Sequence, residues 1–176
     1  MVNVICVKWG DKYNSEDVNR LYKMVSKNLT RPFSFYCLTE DFRGLQKEII
    51  TLNIDHELFL DSYWWKMCIF DKALYREDAP TLYLDLDTII QKNIDHFFDM
   101  IEKNKIRSCY TDILDQDIGE ELAPDGSKFK HRALINSSIM GFIPSTVHDV
   151  FEKFISLSDY YILEYQGVCR YLTKEE

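Results

Sequence analysis

Two aspartates one residue apart, Asp85 and Asp87, directly follow the apolar run Thr81-Leu82-Tyr83-Leu84. Residues i and i+2 of an extended chain point to the same side. Two carboxylates held that way would repel each other, and a divalent cation removes the repulsion. Mg2+ and Mn2+ prefer oxygen ligands and often share carboxylates with substrate phosphates. The chemistry on offer is Lewis-acid stabilisation of a departing phosphate. The plainer alternative is a turn in which the two aspartates merely end a strand.

The surrounding pattern decides what would position such a pair. Val2 to Val7 is a β-rich run broken by Lys8-Trp9-Gly10-Asp11. Ser15 is the expected N-cap of a helix carrying Val18, Leu21, Tyr22, Val25 and Leu29 at helical spacing. Phe33 to Leu38 and Ile49 to Leu52 read as further strands. Trp64 to Tyr75 reads as a largely buried helix, Thr81 to Leu84 as a buried strand, and Thr88 to Ile90 as a short continuation of it. Ile94 to Ile101 predicts a helix, Ile106 to Tyr110 a strand, Ala133 to Ile143 a strand or strand pair, and Val147 to Leu157 a helix. Residues 160–176 fit no single pattern. Alternating strands and helices predict one α/β domain over residues 1–176, with a mostly parallel sheet flanked by helices. Open sheets of that kind bind ligands beyond the carboxyl ends of their strands, where Asp85 and Asp87 lie.

Composition narrows the function classes. The 176 residues carry a net charge of -8, which disfavours binding to a nucleic-acid backbone. Aromatic residues make up 14% and suit sites that stack on bases and sugar rings. No run approaches the roughly 20 apolar residues of a membrane helix. The five cysteines include no C-x-x-C pair, so reduced thiols are expected, not a zinc site. Reduced thiols and the absence of a leader pattern predict a cytoplasmic protein, in the host cytoplasm if the chain is viral. Neither GxGxxG nor GxxxxGK[ST] occurs.

The stretch from Leu82 to Ile90 also matches the first motif of haloacid-dehalogenase-type phosphatases, with Asp85 as nucleophile and Asp87 as acid. Against that, 84 residues precede Asp85 and no paired aspartates follow a later strand. Asp112, Asp115 and Asp117 lie instead in the long polar segment from Thr111 to Arg132.

Several segments in order resemble GT-A glycosyltransferases of the small bacterial and viral kind, including glycogenin-like enzymes. They are Val4 to Gly10 followed by Tyr13, Asn28 to Phe33, Trp64-Trp65-Lys66-Met67, Leu82 to Asp87, and Ile135 to Met140. The resemblance spans nearly the whole chain. It implies a Rossmann-like GT-A domain, a nucleoside-diphosphate sugar donor (a UDP-sugar), a saccharide or other hydroxyl acceptor, and Mn2+ or Mg2+. Val7, Lys8, Trp9, Gly10 and Tyr13 would then form the base pocket, and Lys66 would face the diphosphate or sugar. Asp85 and Leu86 would meet the donor, Asp85 and Asp87 the metal, and Asn136 and Ser137 the donor sugar. An inverting reaction needs a carboxylate base, for which Asp112, Asp115 and Asp117 are candidates, while Asn136 joins the catalytic set through the donor sugar. The tail departs from the family pattern. Cys169 and Lys174 stand where an aspartate and a metal-binding histidine are expected. A protonated lysine cannot ligate a cation, so the resemblance leaves two outcomes: the metal is held weakly by Asp85, Asp87, diphosphate and water alone, or Arg170 and Lys174 neutralise the diphosphate directly. A nucleotide-sugar-binding module without turnover is the non-enzymatic alternative. His56 and His131 are isolated and carry no assignment.

Overall fold

The computed structural model describes residues 1–54, 60, 62–76, 78–110 and 135–175. Asp112, Asp115, Asp117, His56 and His131 lie outside them. Strands β1 (Val2–Lys8), β2 (Phe33–Thr39), β3 (Ile49–Asn53), β4 (Thr81–Leu84), β5 (Arg107–Tyr110) and β6 (Ile135–Phe142) form one sheet in the order β3-β2-β1-β4-β6-β5. The first four of these run parallel, and β6 is antiparallel to both of its neighbours. The expected mostly parallel α/β sheet is therefore present, with β6 as its antiparallel strand.

Strand alternation divides the core in two. Val2, Val4 and Cys6 of β1 pack with Phe35, Cys37, Leu82 and Leu84 against Val18, Leu21 and Val25 of helix α1 (Ser15–Asn28). Ile5, Tyr36, Leu38, Tyr83, Met140 and Phe142 face the other way. They meet a 3-10 helix, Ser62–Phe70, and helices α3 (Pro144–Ser156), α4 (Ser158–Tyr165) and α5 (Val168–Glu175). Trp64 stacks on Phe154 at 5.3 Å between centroids and anchors that layer. Burying such large rings supplies much of the apolar stabilisation. The short helix α2 (Asp95–Asp99) closes the first layer through Phe98.

Three local expectations are corrected. Asn14, not Ser15, caps α1: its side chain accepts from the Glu16 and Asp17 amides, and the Asn14 amide in turn donates to the Asp17 carboxylate. This reciprocal arrangement satisfies amides that have no partner within the helix. Trp64 to Tyr75 forms two 3-10 segments, Ser62–Phe70 and Lys72–Leu74. Trp64, Trp65 and the whole run Met67–Phe70 are buried, so no apolar stripe selects a 3.6-residue period. The second segment begins at Asp71, whose carboxylate accepts from the Ala73 amide at 2.9 Å. Residues 88–90 do not extend β4, because the chain turns at Leu86-Asp87 and the Thr88 amide donates to the Asp85 carbonyl at 3.1 Å. Pro144 both ends β6 and starts α3, where its missing N–H is not needed. The tail resolves into α4 and α5, separated by Gln166 in a left-handed conformation (φ 52°).

Candidate donor-binding site

The carboxyl ends of β1 and β4 converge on a cavity of about 260 Å³. Its walls are Val7, Trp9, Lys12, Tyr13, Tyr63, Lys66, Tyr83, Asp85, Leu86 and Asp87. Seven residues singled out in the sequence thus meet at one place: Val7, Trp9, Tyr13, Lys66, Asp85, Leu86 and Asp87. Trp9 is 38% exposed, large enough in area to offer a stacking face.

Asp85 leaves β4 with its amide bonded to the Ser138 carbonyl of β6 at 2.9 Å. Its Oδ1 receives Lys66 Nζ at 2.8 Å and the hydroxyl of Tyr83. Tyr83 precedes Asp85 by two residues, so alternation puts both on one side of the strand. Burial pushes the Tyr83 phenol well above its ordinary range, and the Asp85 carboxylate adds to the shift. The phenol therefore stays protonated and donates. Lys66 Nζ also lies 5.0 Å from the centroid of the Tyr83 ring. Asp87 is held at Oδ2 by the Tyr13 hydroxyl at 3.0 Å. Lys12 lies over the Tyr13 ring at 4.8 Å. Its ammonium is raised above the usual lysine value, first by Tyr13 and then by the aspartates.

The loop after β1 is fixed by a residue that sequence reading passed over. Glu40, just past β2, accepts the Gly10 amide at 2.6 Å. Gly10 has φ +60°, a conformation costly for residues with a Cβ.

Six assigned residues, Gly10 among them, do not line the cavity. Lys8 points to the opposite side of β1 from Val7, is 5% exposed, and reaches Thr39 Oγ1 at 3.5 Å. Asn136 is exposed and its Oδ1 accepts from the Ser138 amide at 2.8 Å. Ser137 is 3% exposed and lies behind Lys66. Arg170 is buried beside Gly167, and Lys174 is exposed in the last turn of α5. Among the described residues, the cations that line the cavity are Lys12 and Lys66. Gly10 shapes the loop through its backbone. Asp112 and Asp115 fall outside the described residues.

Among the described residues, no three His, Cys, Asp or Glu side chains gather into a metal cluster. None of the five cysteines, all among the described residues, forms a disulfide. No helix among the described residues is long and apolar enough to cross a membrane. A second cavity of about 410 Å³ lies on the α2 side of the sheet. Among the described residues, its ionic groups are Glu102 and Arg107, which pair with each other.

No family model matches the sequence, and no curated protein matches it. Solved structures do match. One is the galactosyltransferase LgtC in complex with donor and acceptor sugar analogs, at TM-score 0.62 and 14% identity over 93% of this chain. The LgtC active-site mutant Q189E matches at 0.61 and 14% over 94%. The apo glycosyltransferase GlyE of Streptococcus pneumoniae TIGR4 matches at 0.61 and 13% over 98%. The fold is that of the glycosyltransferases LgtC and GlyE. This chain spans 65% of the LgtC chains and 42% of the GlyE chain. The GT-A fold expected from the sequence is shown at this level, and the identities are too low to carry more than the fold.

Proposed function

We propose that this chain is a glycosyltransferase domain. It moves a sugar from a nucleoside-diphosphate donor, a UDP-sugar, to a hydroxyl acceptor on a saccharide or other molecule. One observation carries this reading: Lys66, Asp85, Tyr13 and Asp87 meet in a single cavity beside Trp9, beyond the carboxyl ends of parallel strands. The likeness to LgtC, solved with donor and acceptor sugar analogs, supports it.

Trp9 supplies a face for the base, where stacking contributes roughly 1–3 kcal/mol. Lys66 and Lys12 supply positive charge where the diphosphate would lie. The bond between the anomeric carbon and the diphosphate oxygen breaks, the acceptor oxygen bonds that carbon, and the acceptor proton is lost. Negative charge grows on the leaving diphosphate, and preorganised cations lower the barrier most when aimed at such growing charge.

Asp85 and Asp87 suit a hard cation. Both partners of Asp85 act on Oδ1, and Tyr13 takes Oδ2 of Asp87, so each carboxylate keeps a second oxygen. Mg2+ and Mn2+ accept one or two carboxylates and leave the remaining positions to phosphate oxygens and water. When bound, the ion would act as a Lewis acid on the departing diphosphate. If the reaction inverts the sugar, Asp112 and Asp115 are the proposed bases.

The test is a hydrolysis and transfer assay over a panel of UDP-sugars with Mn2+, comparing wild type with Asp87→Ala. Hydrolysis that Asp87→Ala abolishes supports the proposal. Nucleotide binding without turnover would make the chain a binding module. Phosphate release from a phosphomonoester, with UDP-sugars ignored, would overturn the reading in favour of a phosphatase.

A further inference from the structure

Lys66 is held from behind as well as from the cavity. Its Nζ donates to the carbonyl and to Oγ of Ser137, each at 3.2 Å. With Asp85 Oδ1 at 2.8 Å, these acceptors match the three N–H donors of an ammonium. On the far side of Ser137 stands Cys169 of α5. Its Sγ lies 3.1 Å from Ser137 Oγ and accepts the Ser137 amide at 3.4 Å. Because Ser137 Oγ accepts from Lys66, its own proton is free to point at Sγ. Neither Ser137 nor Cys169 lines the cavity.

We propose that Ser137 and Cys169 are positioning residues for Lys66. The thiol of α5 fixes the hydroxyl and amide of Ser137, and Ser137 fixes the ammonium in register with Asp85. A lysine stem has four rotatable carbons, and its charge stays at one point only if several acceptors hold it there. A tail helix thereby sets the geometry of a strand-end site through a path of three side chains. The consequence for donor affinity rests on the proposed function; the positioning of Lys66 does not.

The test compares wild type, Cys169→Ala and Cys169→Ser by NMR of the lysine ammonium groups, with the Lys66 signal assigned through Lys66→Arg. UDP titrations with Mn2+ run in parallel, and the amide spectrum reports that each variant folds. Wild type is expected to show a slowly exchanging Lys66 ammonium. Cys169→Ala should lose that signal and bind UDP about fivefold more weakly, the effect of one hydrogen bond. Serine can keep both roles of the thiol and should restore both readouts. An unchanged Lys66 signal in Cys169→Ala overturns the proposal whatever the UDP affinity does. So does a loss that serine fails to restore. If wild type binds no UDP, the donor reading fails, and the Lys66 signal still decides the positioning role.

Discussion

Replacing Lys66 by Met removes one partner of a largely enclosed ion pair. The two side chains are 12% and 25% exposed and their charged atoms are 2.8 Å apart. At an effective dielectric constant near 20, two unit charges at that separation attract by about 6 kcal/mol before desolvation is subtracted. Desolvation cancels most of this, and the pair sits between the exposed and buried regimes. The variant should therefore lose about 2 kcal/mol. Most of that is the penalty of leaving Asp85 charged with only the Tyr83 hydroxyl beside it. At roughly 2–4 °C per kcal/mol for a chain of this size, Tm should fall by about 5 °C. The double variant Lys66→Met/Asp85→Asn removes the stranded charge and should recover part of the loss, with a coupling of about 1–2 kcal/mol. Scanning calorimetry on the four proteins of the cycle measures this. Strict additivity of the single effects would refute the idea that Lys66 and Asp85 act as a unit.

Other consequences follow from single residues. Gly10→Ala should cost about 1 kcal/mol, seen as a lower Tm: no atom lies within 4 Å of the new Cβ, so strain at φ +60° is the whole effect. Asn14→Ala removes the acceptor for two amides at the start of α1 and should cost about 1 kcal/mol in urea unfolding. Thr30 holds the Asp95 carboxylate through its hydroxyl and amide, which lowers that carboxyl below its ordinary value of 3.8. A depressed carboxyl stabilises the fold above its unfolded pKa and loses that contribution as pH falls through its folded pKa. Asp95→Asn should thus melt below wild type at pH 7, and the gap should close as pH drops below about 3.8 in a Tm series.

The sheet and the centre of the site were legible for identifiable reasons. Thr81 to Leu84 is short, rich in strand-forming residues and closed by Asp85, so both the strand and the place where its chain leaves the core could be read. Trp9, Tyr13 and Lys66 came from a resemblance, not from periodicity. Lys8 shows what alternation alone would have said: beside Val7 on one strand, it must face the other way. Tyr83, two residues before Asp85, carried the same signal and was passed over. The 3-10 helix was opaque because apolar residues surround it on all sides. Glu40 on Gly10 and Cys169 on Ser137 join residues 30 and 32 positions apart, and nothing local marks either pair. The capping residue was ambiguous because Asn14 and Ser15 are both good caps; the Asp17 three residues after Asn14 was the distinguishing mark.

The central claim is that Asp85 and Asp87 hold a divalent ion against a nucleoside diphosphate. Isothermal titration of UDP into the protein, with Mn2+ present and then with the ion chelated, tests it most directly. The expected result is affinity weakened at least tenfold by chelation, with Asp85→Asn/Asp87→Asn weak under both conditions. Equal UDP affinity in all four titrations would contradict the account.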